Sequence, residues 1–552
     1  MSKTAGKKLK LRVKKPRSSN VEKKETSGKS TKKPKFKFLK KTKGEKYKNV
    51  HVYLEKKNFG LYDYQKDFIK WGLDMEMKRK MGGLLCDEPG LGKTVQTCAL
   101  MYGNPQRKTL IIVPGAVIHQ WIDTINKILP NLRIYLHRGR NRARTYSELC
   151  SKCFDVAITT LDMVYSRKKE NFLTVLHSMY WDRIVIDEIH YIRNSSSKKA
   201  KGSHALRGTL KWGLTGTPIQ NSIKDLKSLY KFIGLPSRFM TNVGLKEANL
   251  IYMKRRTKAM LKGVNKRFEI PKLQQKTHAV GFLTKGERNV YSRVKDDVTL
   301  EYEELMSMDM ESNQKMMLMF ELLLRLRQVS IHPQIAINGF ERKHKRKYKK
   351  YTGRSSKIEA MLGIMKTKIE NENCLVFCHF REEMDIIEKR LEEEGIISKR
   401  YDGSMSLEKR NESIRSFVDP KDIDPLNKDI PKVLLIQINA GGVGINLQMF
   451  SQVFIISPNW NPSNEIQAIA RAHRIGQTRK VTVHRFTLFD VEEEFNTIDE
   501  RIVGIQVSKR GIMAEYLKDE TFNDMGDINT SLISSKKFKF KLSGTDFRKL
   551  LA

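Results

Sequence analysis

Cysteine is scarce. Six residues in 552 are too few for a disulfide framework and point to a reducing compartment. Cys150 and Cys153 form a CxxC pair, but no second CxxC completes a zinc site, and Cys374 and Cys378 fall in an expected buried strand. Long apolar runs are missing too, since none approaches the roughly 18 residues of a membrane span. The Lys-rich N-terminus has no apolar stretch of the kind a secretory signal needs. No internal repeat is evident. The scarcest feature is negative charge. Only 61 Asp and Glu face 105 Lys and Arg, for a net charge of +44. Residues 1–50 hold 20 Lys and Arg against 3 Glu, and the remainder is still strongly basic. An excess of this size predicts a polyanionic partner. Nucleic acid leads over an anionic membrane, because no basic amphipathic anchor helix is present.

What is present divides the chain. Residues 1–48 show no periodicity and read as a disordered basic arm, with Lys7–Arg17 and Lys32–Lys41 suited to nuclear import or phosphate binding. Over 49–265, the short apolar runs Thr109–Pro114, Asp155–Thr160, Arg183–Glu188 and Trp212–Thr217 are spaced by helical stretches. Runs rich in Val, Ile and Leu at that spacing read as buried parallel strands. The pattern returns over 355–505 in Cys374–Phe380, Val433–Ile438, Gln452–Ser457 and Val481–Phe486. The expected fold class is therefore α/β, with two parallel-sheet units flanked by helices. Residues 266–354 read as mostly helical, with a basic, solvated insertion at Glu341–Arg354. The methionine-rich run before it reads as an amphipathic packing helix rather than a partner groove. Trp212 reads as core, and 506–552 as a short tail.

The stretch GGLLCDEPGLGKTVQT (Gly82–Thr97) is a short apolar strand, a glycine turn, Lys-Thr and then a helix. Backbone N–H groups at such a helix start cradle phosphates. Lys93 would reach the β- and γ-phosphates, and Thr94 would hold Mg²⁺. Asp87 stands where the strict P-loop pattern has its first glycine. The apolar strand Ile184–Ile186 ends in Asp187 and Glu188, the pair such a site requires: Asp187 for Mg²⁺ and Glu188 to orient and polarise the attacking water. Phosphoryl transfer also needs positive charge at its transition state. Arg471 and Arg474, three apart in SNEIQAIARAHRIGQ (Ser463–Gln477), are expected on one helix face with Gln467, with Ser463 or Asn464 as the cap. They lie in the second unit, so the site would be completed only when the two units close.

These residues, in this order, resemble the Snf2 family of superfamily 2 helicase-like ATPases over roughly 58–510. Leu61–Trp71 (LYDYQKDFIKW) resembles the Q motif, and Asp87–Thr94 resembles motif I with Pro89 where the family usually has Met. Leu110–Trp121 and Ala157–Val164 resemble motifs Ia and Ib, Asp187–His190 motif II and Leu214–Asn221 motif III. Arg255–Lys258 (RRTK) and Leu323–Pro333 resemble family-specific segments, and Leu375–Phe380 resembles motif IV. Tyr401–Met405, Ile438–Leu447 and Asn459–Gln477 resemble the motifs that follow, up to motif VI.

The resemblance implies two RecA-like lobes, with helical protrusions over 266–354 and a C-terminal brace over 506–552. It implies ATP and Mg²⁺ as cofactors, and translocation 3′→5′ along one strand of intact duplex DNA. By motif match, Gln65 would read adenine, and Asp87, Gly90, Gly92, Lys93, Thr94 and Gly444 would line the nucleotide. Gln120, Trp121, Thr160, Gly441, Gly442 and Trp460 would touch DNA. The implied partners are double-stranded DNA and, as cargo, nucleosomes or other DNA-bound proteins, for a monomeric motor with no membrane and no small-molecule substrate besides ATP. The compartment would be the nucleus or another DNA-containing site, such as a viral factory or virion. The rival readings are a strand-separating helicase, a repair- or transcription-associated translocase without nucleosome activity, and an inactive DNA-binding scaffold. The intact Lys93, Asp187, Glu188, Arg471 and Arg474 oppose the last.

Overall fold

All eight Val-, Ile- and Leu-rich runs singled out above form strands, and every observed strand pairing is parallel. The computed structural model describes residues 43–57, 59–166, 173–262, 270–417, 430–438 and 445–519. The arm through residue 42, the glycines Gly441, Gly442 and Gly444, and the tail beyond Asp519 lie outside them.

The first sheet is built from β1 (Leu84–Leu85), β2 (Thr109–Ile112), β3 (Ile134–Leu136), β4 (Val156–Thr159), β5 (Trp181–Asp187), β6 (Gly208–Leu214) and β7 (Met253–Lys254). Its order is β3-β4-β2-β5-β6-β1-β7. The second sheet contains β8 (Leu273–Gly281), β9 (Asn373–Cys378), β10 (Ser398–Tyr401), β11 (Val433–Gln437), β12 (Phe450–Ile455) and β13 (Val481–Phe489), in the order β10-β11-β9-β12-β13-β8. A parallel sheet must be covered on both faces, and the helices do this.

The helices that matter below are α1 (Lys43–Lys56), α2 (Asp63–Met77), α3 (Lys93–Gly103), α4 (Ile118–Ile128), α5 (Lys285–Ser307), α6 (Ser312–Ile331), α7 (Pro333–His344), α8 (Pro462–Ala472) and α9 (Ile498–Leu517). The structure differs from the sequence reading in three places. First, α1 starts within the expected arm, because Val50 and Leu54, four apart, bury against the first-lobe core. Second, the stretch expected to be mostly helical opens with β8, which pairs with β13 over nine residues and closes the edge of the second sheet. Third, only half of the methionine-rich helix packs. Leu322, Leu323, Leu326 and Val329 of α6 are buried against Tyr291, Val294 and Val298 of α5, whereas Met316, Met317 and Phe320 are exposed. Of the expected basic insertion Glu341–Arg354, Glu341–His344 end α7, and Lys345–Lys350 beyond it are all exposed.

α9 crosses between the lobes. Ile498, Ile502 and Ile505 join the core shared with α5 and α6, and Met513 is buried in the first-lobe core. Near its end, Lys246 pairs with Glu515 at 3.1 Å and Arg255 with Asp519 at 2.5 Å.

One buried carboxylate ties the first lobe together. Glu76 of α2 accepts from Arg183 Nε at 2.7 Å, Trp212 Nε1 at 2.9 Å and Asn104 Nδ2 at 2.8 Å. It thus joins α2, the end of α3, β5 and β6. Removing one partner strands a buried guanidinium, so Glu76→Ala is expected to destabilise the first lobe by about 3–5 kcal/mol, read as a fall in its thermal unfolding midpoint. An unchanged midpoint would show that Arg183 reaches water or another acid.

Candidate nucleotide site and nucleic-acid face

β1, β5 and β6 end level with one another, since Leu85 and Asp187 both stand opposite Leu214. Three loops therefore leave the same sheet edge side by side, which is where open parallel sheets bind ligands. The loop after β1 turns through Gly90 (φ +93°) and Gly92 (φ +76°), a left-handed backbone suited to glycine. Gly92 caps α3 without any side-chain cap, which leaves the first-turn N–H groups open to an anion. Lys93 Nζ folds over the loop and donates to the Asp87 carbonyl at 2.8 Å. Thr94, half-buried, follows in the first helical turn. Gln65 sits against the loop, its Nε2 donating to the Leu91 carbonyl at 3.3 Å. A Cβ on Gly92 would stand 2.7 Å from that nitrogen.

The Asp87 carboxylate is fully buried and held by Arg256 at 2.8 and 2.6 Å and by Gln96 at 3.0 Å. These bonds tie the loop to the RRTK segment and to α3. Glu88 beside it pairs with Lys258 at 3.0 Å, and Lys258 in turn donates to the His473 carbonyl in the second lobe at 2.6 Å.

Asp187 and Glu188 lie at the end of β5. Trp121 Nε1 donates to Asp187 Oδ2 at 2.9 Å, and the Glu188 N–H donates to Oδ1 at 3.0 Å. Burial and the neighbouring Glu188 charge raise the Asp187 pKa. For Glu188 burial acts upward as well, but His190 and Lys93 outweigh it and hold the carboxylate ionised. Its backbone is left-handed (φ +51°), a conformation that L side chains adopt at some strain. His190 Nδ1 lies 3.1 Å from the Glu188 carboxylate and 2.9 Å from Thr215 Oγ1, which fixes the acid from the motif III side.

The second lobe supplies the cations. Asn461 caps α8 through the Ser463 N–H at 3.0 Å with Pro462 in the first turn, so the cap lies two or three residues before the expected Ser463 or Asn464. Gln467 donates to Thr217 at 3.1 Å and Asn461 to Gln220 at 2.9 Å, which lays α8 along motif III. Burial lowers the Arg471 pKa and the charges of Glu188 and Asp187 oppose that shift, so the guanidinium lies within electrostatic reach of the two carboxylates. Arg474 is not on the shared helix face that its spacing suggested. α8 stops at Ala472, and Arg474 lies in the turn beyond, where its Cβ would be 3.0 Å from a Cβ on Gly90. The two arginines thus approach opposite parts of the site, one at the carboxylates and one at the glycine loop.

The residues expected to meet DNA divide. Gln120 is exposed on α4, and Thr160 lies just past β4, whose end pairs with that of β2. Trp460 is half-buried against the α5–α6 core, and its carbonyl accepts from Lys509 at 2.7 Å. Trp121, by contrast, is 1% exposed and donates to Asp187. Sequence reasoning gave no role to Arg256, Lys258, His190 or Thr215. All four lie in segments singled out above, Arg256 and Lys258 in RRTK, His190 in motif II and Thr215 in motif III, but nothing in those segments named their partners.

A phosphate cradle in one parallel-sheet lobe, met by arginines from a second, is the arrangement of a helicase-like P-loop ATPase. The family models agree. Residues 64–335 match the SNF2-related domain, and 356–476 match the helicase conserved C-terminal domain. The chain is 28% identical over 467 residues to a SWI/SNF-related matrix-associated actin-dependent regulator of chromatin (subfamily A member 1) of Mus musculus, covering 80% of this chain and 42% of that protein. It is 29% identical over 486 residues to an uncharacterized ATP-dependent helicase of Mycoplasma pneumoniae, covering 84% and 43%. It is also 26% identical over 534 residues to the TATA-binding protein-associated factor MOT1 of Saccharomyces cerevisiae, covering 83% and 28%. The chain belongs to the Snf2 family, and it spans less than half the length of these relatives.

Proposed function

We propose that this chain is an ATP-driven translocase on double-stranded DNA that shifts or strips proteins bound there. The observation that carries the reading is the seating of α8 of the second lobe on motif III of the first, through Gln467 to Thr217 at 3.1 Å and Asn461 to Gln220 at 2.9 Å, which brings Arg471 into electrostatic reach of Glu188 and Asp187. With carboxylates in one lobe and cations in the other, hydrolysis is tied to lobe closure, and closure is a stroke. Lys93 and the open start of α3 would hold the phosphates, with Gln65 at the base. Thr94 and Asp187 form an all-oxygen donor set that suits Mg²⁺. Mg²⁺ held there would neutralise phosphate charge. Glu188 would orient the attacking water, Arg471 would stabilise the charge that develops beside it, and Arg474 would do so at the glycine loop. Gln120, Thr160 and Trp460 are the DNA contacts we propose among the described residues, and net charge favours such a track. The compartment would be the nucleus or another that holds DNA.

The cargo has two readings because the relatives differ. One is named for regulating chromatin and another for association with TATA-binding protein. Steady-state ATPase with no nucleic acid, single-stranded DNA, duplex DNA, RNA and nucleosomes, at matched salt, decides between them. Stimulation by duplex DNA is the expected result, and a further gain on nucleosomes would favour remodelling. Stimulation by RNA or single strands alone would overturn the duplex track.

Trp121 offers a separate check. Trp121→Phe keeps the ring but removes the N–H from a buried carboxylate, a loss of roughly 1–3 kcal/mol. Half-saturating Mg²⁺ should rise by about tenfold or more while duplex affinity stays within about twofold. A fall in duplex affinity with unchanged Mg²⁺ dependence would return Trp121 to the DNA face.

A further inference from the structure

The chain is strongly basic, yet one surface of it is acidic and apolar together. From Asp296 to Glu311, where α5 ends and turns into α6, there are seven acidic residues and no basic one. Glu301 is taken by Lys343. The other six, Asp296, Asp297, Glu303, Glu304, Asp309 and Glu311, are exposed, and among the described residues none is in an ion pair. Burial and then the Glu301 and Asp296 charges raise the Asp297 pKa, and Arg293 and His344 offset part of that rise.

The same tip exposes bulky apolar side chains. Met317 is 77% exposed, Phe320 62% and Leu300 60%, and Met306, Met308 and Met316 are each about half exposed. Scattered exposed apolar residues are ordinary, but Met316, Met317 and Phe320, three and four apart on α6, share one stripe of that helix. The buried half of the hairpin already supplies its stability through Leu322, Leu323, Leu326, Tyr291 and Val298. The exposed half contributes nothing to that core. Methionine is the side chain that adapts to a varied apolar partner.

Charge selects the occupant. Nucleic acid and anionic lipid would both be repelled by these six exposed carboxylates. A basic partner would be repelled by most of the remaining surface and drawn to this tip. We propose that the α5–α6 tip is a docking surface for a basic amphipathic segment of another protein, one that sets Lys or Arg against the carboxylates and Leu-like side chains against Met316, Met317 and Phe320.

The test is titration calorimetry of the full chain with a 20-residue amphipathic peptide of lysine and leucine. A lysine–serine peptide of equal charge is the control. Expected is one binding site that weakens with salt. It should weaken at least tenfold in Met317→Ser/Phe320→Ser, and at least tenfold in Asp309→Asn/Glu311→Gln, with the lysine–serine peptide at least tenfold weaker throughout. Duplex-stimulated ATPase should stay at the wild-type level in both variants, which shows that the motor is folded. No binding by the wild-type chain, or equal binding by all three proteins, overturns the proposal. So does sedimentation showing a dimer that Met317→Ser/Phe320→Ser dissolves, because the occupant would then be a second copy.

Discussion

Glu188→Gln is expected to lower duplex-stimulated turnover by about 10²–10⁴-fold with little change in nucleotide or DNA affinity. The amide keeps the size and the contacts of the acid with Thr215 and His190, so the left-handed turn at residue 188 should hold. What disappears is the negative charge that polarises water. That charge is secured in the native protein because His190 and Lys93 hold Glu188 ionised against its burial, while Asp187 beside it is shifted the other way. Single-turnover hydrolysis alongside binding of a fluorescent nucleotide separates chemistry from affinity. DNA-stimulated ATPase that survives the substitution would remove Glu188 from its role and, with it, the assignment of the site.

Arg471→Ala should be more severe, with a loss of roughly 10³–10⁵ in turnover. The arginine belongs to the second lobe, and its charge meets Glu188 and Asp187 of the first. Its effect should fall on the transition state, which leaves nucleotide affinity close to wild type and puts nearly the whole loss in kcat. Arg471→Lys should recover only a small part, because an ammonium cannot present the planar fork of a guanidinium. A loss confined to nucleotide affinity would make Arg471 a ground-state binder and transfer the transition-state role to Arg474 at Gly90.

The parts of this site that were legible in sequence are those whose chemistry is local. Gly90, Gly92, Lys93 and Thr94 fall within five residues, and Asp187 and Glu188 end a single apolar run. Their spacing alone implies a strand, a turn and a helix start. The parts that were not legible depend on distant pairing. Asp87 and Arg256 are 169 residues apart, and Trp121 is 66 from Asp187. Motif position suggested a nucleotide ligand and a DNA contact; it carried no sign that the first is bonded to Arg256 and the second to Asp187. β8 was missed for a different reason. Its LQQKTHAVG has no apolar run because an edge strand is half exposed and needs none. Arg474 was misplaced because helical spacing was carried one turn past the point where α8 stops.

α9 gives the two-lobed arrangement a mechanical character. A helix of 20 residues is a rod about 30 Å long. This one is built in at both ends, with Ile498 and Ile502 seated beside the second lobe and Met513 seated in the first. The cleft can widen only if the rod bends or if Met513 is drawn from its socket. The socket at Met513 therefore contributes to the cost of parting the lobes, and a smaller side chain there would loosen one end of the strut.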